Sequence, residues 1–400
     1  MPKYRYVIVG GGMAADAAAR GVRELDRNAP VALLSASPTP PYQRPPLTKG
    51  LWKGKPLDEI WCGTDQLGIE LHLGVTIRAL DLAQKRVVDD RGTVYEFGKL
   101  LLVTGGTPRR LPAGGEHAIA YRTLEDYRHL RELAARGRRF VVVGGGFIGA
   151  EIAAALAMNG KQVTMLFSGD GIGHRVFPPE LSRYLNEFYG DKGVDVRPGE
   201  TAAQIESRDG GQYAVRARRI DQNGQAPLVP DLIVDGVVAG IGIEPNVALA
   251  AEAGLGVDDG ILVDELLRTT HPDVHAAGDV ANFFSPQLGH RMRVEHEDNA
   301  NVQGRAAGRA MAGQAEPYHH LPFFYSDLFE LGYEAVGEID SRLQTIADWK
   351  EPFRKGVVYY LREGRVRGVL LWNVWNQVET ARQLVAAPGP FTAEELKGRI

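Results

Sequence analysis

Two apolar strands that each run into a glycine-rich turn and an alanine-rich helix, and a C-terminal stretch dense in aromatic and strand-forming residues, predict an α/β fold. The architecture they imply is two Rossmann-like dinucleotide-binding domains plus a C-terminal α+β domain acting as a cap. The first turn, Gly10-Gly11-Gly12-Met13-Ala14-Ala15, follows Tyr6-Val7-Ile8-Val9. The second, Gly144-Gly145-Gly146-Phe147-Ile148-Gly149, follows Phe140-Val141-Val142-Val143 and begins 134 residues later. In such a turn the first glycine permits the tight bend, the second lets backbone approach a pyrophosphate, and a small third residue lets helix and strand pack closely. Gly10, Gly12 and Ala15 fill these roles in the first turn, and Gly144, Gly146 and Gly149 in the second. One such turn reads equally as a glycine bend without a ligand. Two argue for two nucleotide sites, because each pyrophosphate needs its own helix N-terminus. The economical reason to hold two dinucleotides is to pass a hydride between them.

A chain of 400 residues is long for one core and has room for two to three domains. Hydrophobic residues at 44% and charged residues at 24% are ordinary for a globular protein, and a formal net charge of -4 gives no support to nucleic-acid binding. Cys62 is the only cysteine, which excludes an intrachain disulfide, a zinc cluster built on thiolates and a redox-active cysteine pair. A lone cysteine suits a reducing, cytoplasmic setting. No run of eighteen apolar residues is present, so no transmembrane segment is expected, and Met1-Pro2-Lys3 leads directly into the first strand without space for a leader.

In chain order, residues 14–22 are rich in helix formers and lead to a second strand, Val31-Ala32-Leu33-Leu34, which completes a βαβ unit. The proline-rich stretch 38–46 can be neither helix nor central strand, and reads as a fixed loop carrying Arg44 and Lys49. Strand patterns follow at 75–77 and 87–88; the run Leu100-Leu101-Leu102-Val103 then stops at Thr104-Gly105-Gly106-Thr107-Pro108, as a strand ending at a ligand crevice does. Residues 123–137 read as an amphipathic helix entering the second nucleotide domain, which continues to about Val238. Residues 240–246 form a loop, His275-Ala276-Ala277-Gly278-Asp279-Val280 ends a short strand with a glycine and an acid, and 298–312 is an amphipathic helix. From Leu321 the runs at 357–360 and 369–372 suggest a small α+β cap. The expected domains are therefore 1–115 with 239–319, then 116–238, then 320–400.

An acid about 20 residues past each glycine turn ordinarily binds a ribose diol. Neither turn has it cleanly: the first strand-end reads Ser35-Ala36-Ser37 and the second Ser168-Gly169-Asp170. Ser35 or Ser37 is the substitute donor at the first site, and Asp170 reaches the second ribose from a shifted position. NADH is then favoured over NADPH, although His174 and Arg175 are near enough in sequence to attract a 2′-phosphate.

The ordered set resembles the FAD-dependent pyridine nucleotide oxidoreductases of the glutathione-reductase structural family, and within it the apoptosis-inducing factor-like NADH oxidoreductases and the ferredoxin reductases. The most specific segments are Pro41-Tyr42-Gln43-Arg44-Pro45-Pro46-Leu47-Thr48-Lys49, Thr104-Gly105-Gly106-Thr107-Pro108-Arg109, residues 144–151, Ala277-Gly278-Asp279 and Val294-Glu295-His296. The cap segments Phe324-Tyr325-Ser326-Asp327-Leu328 and Leu371-Trp372-Asn373-Val374-Trp375-Asn376 resemble apoptosis-inducing factor more than a ferredoxin reductase. This resemblance implies FAD held by Arg44, Thr104, Gly105, Arg109, Asp279, Glu295 and His296, with Ile77 offering backbone to adenine. It implies NAD(H) on residues 144–151 with Phe147, Ile148 and Gly242, NADP(H) being left open. It also implies a Lys49–Glu151 pair beside the flavin, with His296 and Tyr325 around the reacting rings. Tyr325 stands where the family usually has tryptophan, which predicts weaker or differently placed stacking. The large cap insertion of the animal factor is absent, since residues 344–354 are expected to connect two strands directly.

Each residue also has a plainer reading. Asp279 serves as a helix N-cap, Arg44 and Lys49 as surface charges, Glu151 as a first-turn acid complementing the helix dipole, and Tyr325 as cap core. Taken together, the residues read as an enzyme that transfers hydride from nicotinamide C4 to flavin N5 and then passes electrons to an acceptor such as ferredoxin, quinone or oxygen. The alternatives are the ferredoxin reductase component of an electron-transfer chain, an NADH sensor acting through a homodimer, and a cofactor-poor relic suggested by Ala36.

Overall fold

A computed structural model describes residues 2–219 and 230–400 and divides the chain into two compact units. Met1 of the expected leaderless start, and residues 220–229 of the expected second nucleotide domain, lie outside the described residues.

The first unit comprises Met1–Arg44, Pro56–Thr107 and Glu244–Phe324. Its central strand Lys3–Val9 is flanked in parallel by Val31–Ser35 and Val94–Leu102. Glu70–Leu73 continues the sheet on one side and Val274–Ala276 pairs with Val94–Leu102 on the other, while the antiparallel pair Ile77–Asp81 and Arg86–Asp89 extends it further. The parallel strands read as apolar runs because both faces of such a sheet are covered, and every residue of Val31–Ser35 is buried. Two helices, Met13–Leu25 and Glu297–Met311, pack backbone against backbone. A Cβ at Gly304 would stand 2.4 Å from the Ala14 carbonyl oxygen, and one at Gly308 only 2.1 Å from that of Ala18, so neither position admits a side chain.

The second unit comprises Pro45–Lys55, Pro108–Ile243 and Tyr325–Ile400. Five parallel strands lie in the order Val194–Pro198, Gln162–Phe167, Arg139–Val143, Gly236–Ala239 and Ile119–Ala120. Helix Leu124–Arg136 opens with a capping box between Thr123 and Asp126, within a residue of its expected bounds. Helix Phe147–Met158 buries every residue from Gly149 to Leu156 and so lies deep in the unit. A small antiparallel sheet joins Glu200–Arg208, Gln212–Arg219 and Leu232–Val234.

The C-terminal strands run in the order Phe323–Leu328, Leu331–Gly337, Arg365–Trp372, Lys355–Arg362 and Gln344–Glu351, followed by helix Val378–Ala386. Tyr333 and Trp372 stack at 5.5 Å and 9°, and Phe177, from the loop after Gln162–Phe167, meets both rings edge-on. This aromatic triad gives the terminal sheet and the nucleotide fold of this unit a common core. One expectation is corrected here. Residues 344–354 are not a plain connection: Gln344–Glu351 is itself an edge strand, held by an antiparallel backbone ladder to Lys355–Arg362.

The two nucleotide folds repeat one another at the level of single hydrogen bonds. Gly10 N–H donates to Leu34 O at 2.9 Å as Gly144 N–H donates to Leu166 O at 2.8 Å, and Gly74 N–H donates to Ser37 O as Gly199 N–H does to Gly169 O, both at 2.9 Å. The chain thus has two Rossmann-like folds and an α+β cap.

Candidate dinucleotide and redox site

In the first unit, Gly10 has φ +131°, and a Cβ there would meet the Val103 carbonyl oxygen at 2.1 Å; the strand can turn only with glycine. Gly12 caps the following helix without a side-chain acceptor, so no cap side chain takes up the first helical amides, as an anion-binding helix start requires. The only neighbour within 4 Å of a Cβ at Gly12 would be the Arg44 guanidinium, with Nη2 at 3.5 Å. Arg44 in turn lies 4.0 Å from the Asp279 carboxylate. Ala15 is fully buried beneath the turn. Gln303 accepts from Gly278 N–H at 2.8 Å, while its own fully buried Nε2 has no partner among the described residues. An open glycine turn, an adjacent guanidinium and an orphaned amide donor fit an anionic dinucleotide such as FAD.

The other expected residues of this unit are placed as follows. Ser35 is buried, packs against Gly11 and accepts from Ser37 N–H at 3.1 Å. Ile77 opens the strand Ile77–Asp81. Thr104 donates to Asn246 O at 2.8 Å and receives the Asn246 amide at 2.9 Å, with Gly105 at φ +65° beside it. Glu295 accepts from Arg293 at 2.7 Å, and the same guanidinium reaches Asp279 O at 3.1 Å. His296 is the N-cap residue of helix Glu297–Met311 and stacks on Phe324 at 4.1 Å and 11°.

In the second unit the three glycine roles are visible as three different surroundings. A Cβ at Gly144 would meet Gly240 O at 2.3 Å and one at Gly149 would meet Gly144 O at 2.0 Å, whereas one at Gly146 would meet nothing within 4 Å. The first two are packing positions; the third opens onto free space above an uncapped helix start. That turn likewise fits a nicotinamide dinucleotide. Phe147 faces Tyr333 at 6.5 Å, Ile148 is 38% exposed, and Asp170 is exposed with its carbonyl held by Asn186 at 2.9 Å. Gly242 has φ +93° and open space around it, and its carbonyl accepts from the backbone of Arg109 at 2.9 Å. Arg109 therefore belongs to this unit, although its expected ligand is FAD.

Lys49 and Glu151 also meet within the second unit, at 2.7 Å, with the lysine side chain 13% exposed and the carboxylate 4%. Glu151 lies beyond the first helical turn and is buried, so it is not a solvated dipole acid. Thr48 donates to its Oε2 and Ser326 to its Oε1, each at 2.5 Å. The segment carrying Lys49 is held by Tyr121 and Trp52, which donate to Leu47 O at 2.6 and 2.9 Å. Burial drives the Tyr121 hydroxyl well above the usual phenol range, so it stays a donor. Lys49 Nζ also stands 5.2 Å from the centre of the Tyr325 ring. Sequence reasoning named Lys49, Glu151 and Tyr325 but missed Thr48, Ser326, Phe324 and Gln303. Their adjacency to Lys49 and Tyr325 was the only signal for the first three, since the bonded partners are 103 and 175 residues apart.

A model of the family described as "Pyridine nucleotide-disulphide oxidoreductase" matches residues 4–304. The chain belongs to that family. It is an FAD-dependent NAD(P)H oxidoreductase. A second model, "Apoptosis-inducing factor, mitochondrion-associated, C-term", matches residues 307–352 and 347–387. Among relatives, the chain is 36% identical over 397 residues to a 5,5'-dehydrodivanillate O-demethylase ferredoxin reductase subunit of Sphingobium, covering 96% of this chain and 94% of that protein. It is 33% identical over 426 residues to "Apoptosis-inducing factor 1, mitochondrial" of Dictyostelium discoideum, covering 96% and 78%. The covalent putidaredoxin reductase–putidaredoxin complex contains a chain of similar fold, with TM-score 0.86, 30% identity, and coverage of 96% and 94%. Cys62 is the sole cysteine, and burial pushes its thiol up to about 12, so the disulphide chemistry of the family's description has no dithiol here. Among the described residues no helix is long and apolar enough to cross a membrane.

Proposed function

We propose that this oxidoreductase acts in the manner of the apoptosis-inducing factor-like enzymes, taking electrons from NAD(P)H and releasing them to a separate acceptor, with Lys49 and Glu151 as its central polar pair. When bound, FAD supplies the two-electron chemistry, its N5 receiving hydride from nicotinamide C4. The protein's residues supply binding, orientation and charge. Gly10, Gly12, Ala15 and Arg44 hold the flavin pyrophosphate, with Asp279 fixing Arg44 and Ser35, Ile77, Thr104, Gly105, Glu295 and His296 completing that site. Gly144, Gly146, Phe147, Ile148, Gly149, Asp170 and Gly242 hold the nicotinamide coenzyme.

The observation that carries this reading is the Lys49–Glu151 contact of 2.7 Å, buried and satisfied by Thr48 and Ser326. A desolvated ammonium fixed in one place stabilises negative charge that develops next to it, and it does so without reorganisation at the moment of reaction. Glu151 fixes the position of Nζ, and the two hydroxyls fix Glu151. Tyr325 bounds the other side of the ammonium with a ring face. The terminal segment matching the apoptosis-inducing factor model supports the first reading of the acceptor. The similarity to a ferredoxin reductase subunit along 96% of this chain supports a second, in which the acceptor is a small ferredoxin-type protein.

Anaerobic reduction of the flavoprotein by NADPH or NADH, recorded with and without added ferredoxin, tests both. Flavin reduction that is not followed by electron transfer to ferredoxin supports the first reading; fast, saturable ferredoxin reduction selects the second. Absence of any flavin reduction by either coenzyme would remove both.

A further inference from the structure

We propose that the second nucleotide site reads its coenzyme through the His174 imidazole seated on Gly169, in place of a strand-end carboxylate, and so takes the 2′-phosphorylated form, NADPH. This rests on residues 144–151 being the nicotinamide site.

In a dinucleotide fold the residue just past the second strand decides between the two coenzymes. An acid there accepts from the ribose 2′-hydroxyl, while a basic side chain accommodates a 2′-phosphate. The strand Gln162–Phe167 is followed by Ser168 and Gly169, neither of which is acidic. Gly169 lies twenty residues past Gly149, and its carbonyl receives Gly199 N–H at 2.9 Å, so it occupies the strand-end position.

The space a side chain would fill at that position is taken. A Cβ on Gly169 would stand 2.2 Å from His174 Nδ1, 2.4 Å from Cε1 and 2.5 Å from Cγ. The imidazole and a strand-end carboxylate are therefore mutually exclusive, and this chain has the imidazole. The loop that carries it is held from both sides. Gly173 N–H donates to Gly145 O, within the glycine turn itself, at 2.8 Å; Ile172 N–H donates to Asn186 Oδ1 at 3.0 Å, and Ser182 donates to Ile172 O at 2.7 Å. His174 and the exposed Arg175 are thus carried beside the pyrophosphate turn by a backbone bond. A 2′-phosphate brings three acceptor oxygens, and an imidazole, followed in sequence by an exposed arginine, supplies matching donors. Asp170, one residue further on, is the nearest carboxylate in sequence, and it is exposed. The spacing alone favoured NADH; the Gly169–His174 contact weighs the other way.

The test is calorimetric titration of the intact flavoprotein with 2′,5′-ADP and with 5′-AMP, which differ only in the 2′-phosphate. The wild type should bind 2′,5′-ADP about tenfold or more tightly than 5′-AMP, and His174→Ala should erase most of that difference while 5′-AMP affinity holds. The NADPH-to-NADH ratio of kcat/KM should fall in parallel. Gly169→Glu should displace the ring and reverse the preference. Equal or tighter binding of 5′-AMP by the wild type, or an equal loss of both nucleotides in His174→Ala, would overturn the proposal and leave the site standing. Failure of both nucleotides to bind would remove the nicotinamide site and the proposal with it.

Discussion

Replacing Glu151 by glutamine deletes a charge while leaving the hydrogen bonds around it intact, which makes it the sharpest probe of the Lys49 pair. The amide oxygen can still accept from Lys49 and Ser326, which both meet Oε1. The amide nitrogen can donate to Thr48 Oγ1, whose own proton already has Pro45 O within 3.3 Å. The cost is the difference between charge-assisted and neutral bonds, about 1–2 kcal/mol. Glu151→Ala instead strands a mostly buried ammonium and should cost about 3–5 kcal/mol. Because the chain has two units, urea midpoints rather than extrapolated free energies are the quantity to compare. In anaerobic stopped-flow, Lys49→Met and Glu151→Gln should each slow flavin reduction by about tenfold to a hundredfold, equivalent to roughly 1.4–2.7 kcal/mol of barrier. If Glu151 works by holding Lys49, the double variant should be no slower than the slower single one. Additive losses would refute the positioning role, and unchanged reduction in Lys49→Met would remove the lysine from the chemistry.

Gly146→Val should abolish nicotinamide binding with little change in the unfolding midpoint, because among the described residues no atom beyond its chain neighbours lies within 4 Å of the added Cβ, whereas Gly149→Val should destabilise the fold, its Cβ meeting Gly144 O at 2.0 Å. Calorimetric coenzyme binding beside urea unfolding separates the two; equal destabilisation would refute the distinction. Arg44→Ala should lower the flavin content of the purified protein, read from the ratio of flavin to protein absorbance; full retention would exclude Arg44 as a pyrophosphate clamp. His275 is 2% exposed with an Nδ1 that has no partner among the described residues, and burial lowers its pKa to about 4 from 6.5. The unfolded chain therefore binds this proton first, and stability falls as pH drops from 6.5 towards 4, by up to about 3 kcal/mol. His275→Gln should flatten that dependence of the urea midpoint, and an identical slope in the variant would show that another group sets it.

Much of the fold was legible because its signals are local. A glycine bend, an apolar run of strand length and a capping box such as Thr123–Asp126 are each written within a few residues, and the helices at 124–136 and 297–311 begin and end within a residue of where periodicity placed them. The edge strand Gln344–Glu351 was misread as a connection, because an edge strand gains its identity from a neighbour that periodicity does not show.

The amino-acid sequence by itself determined that this protein has two glycine-rich turns of one design, no dithiol and a lysine on a proline-rich loop. Only the tertiary structure decided what those parts do to one another. It placed Thr48 and Ser326 on the carboxylate of Glu151, across 103 and 175 residues of chain. It assigned Gly146 to open space and Gly149 to packing, although the two are the same residue three positions apart. It also put the His174 ring on Gly169, turning an absent acid into an occupied position. The reason is physical: a backbone bend is set by the residues that make it, whereas a buried polar contact depends on which distant segments folding brings within about 3 Å of one another.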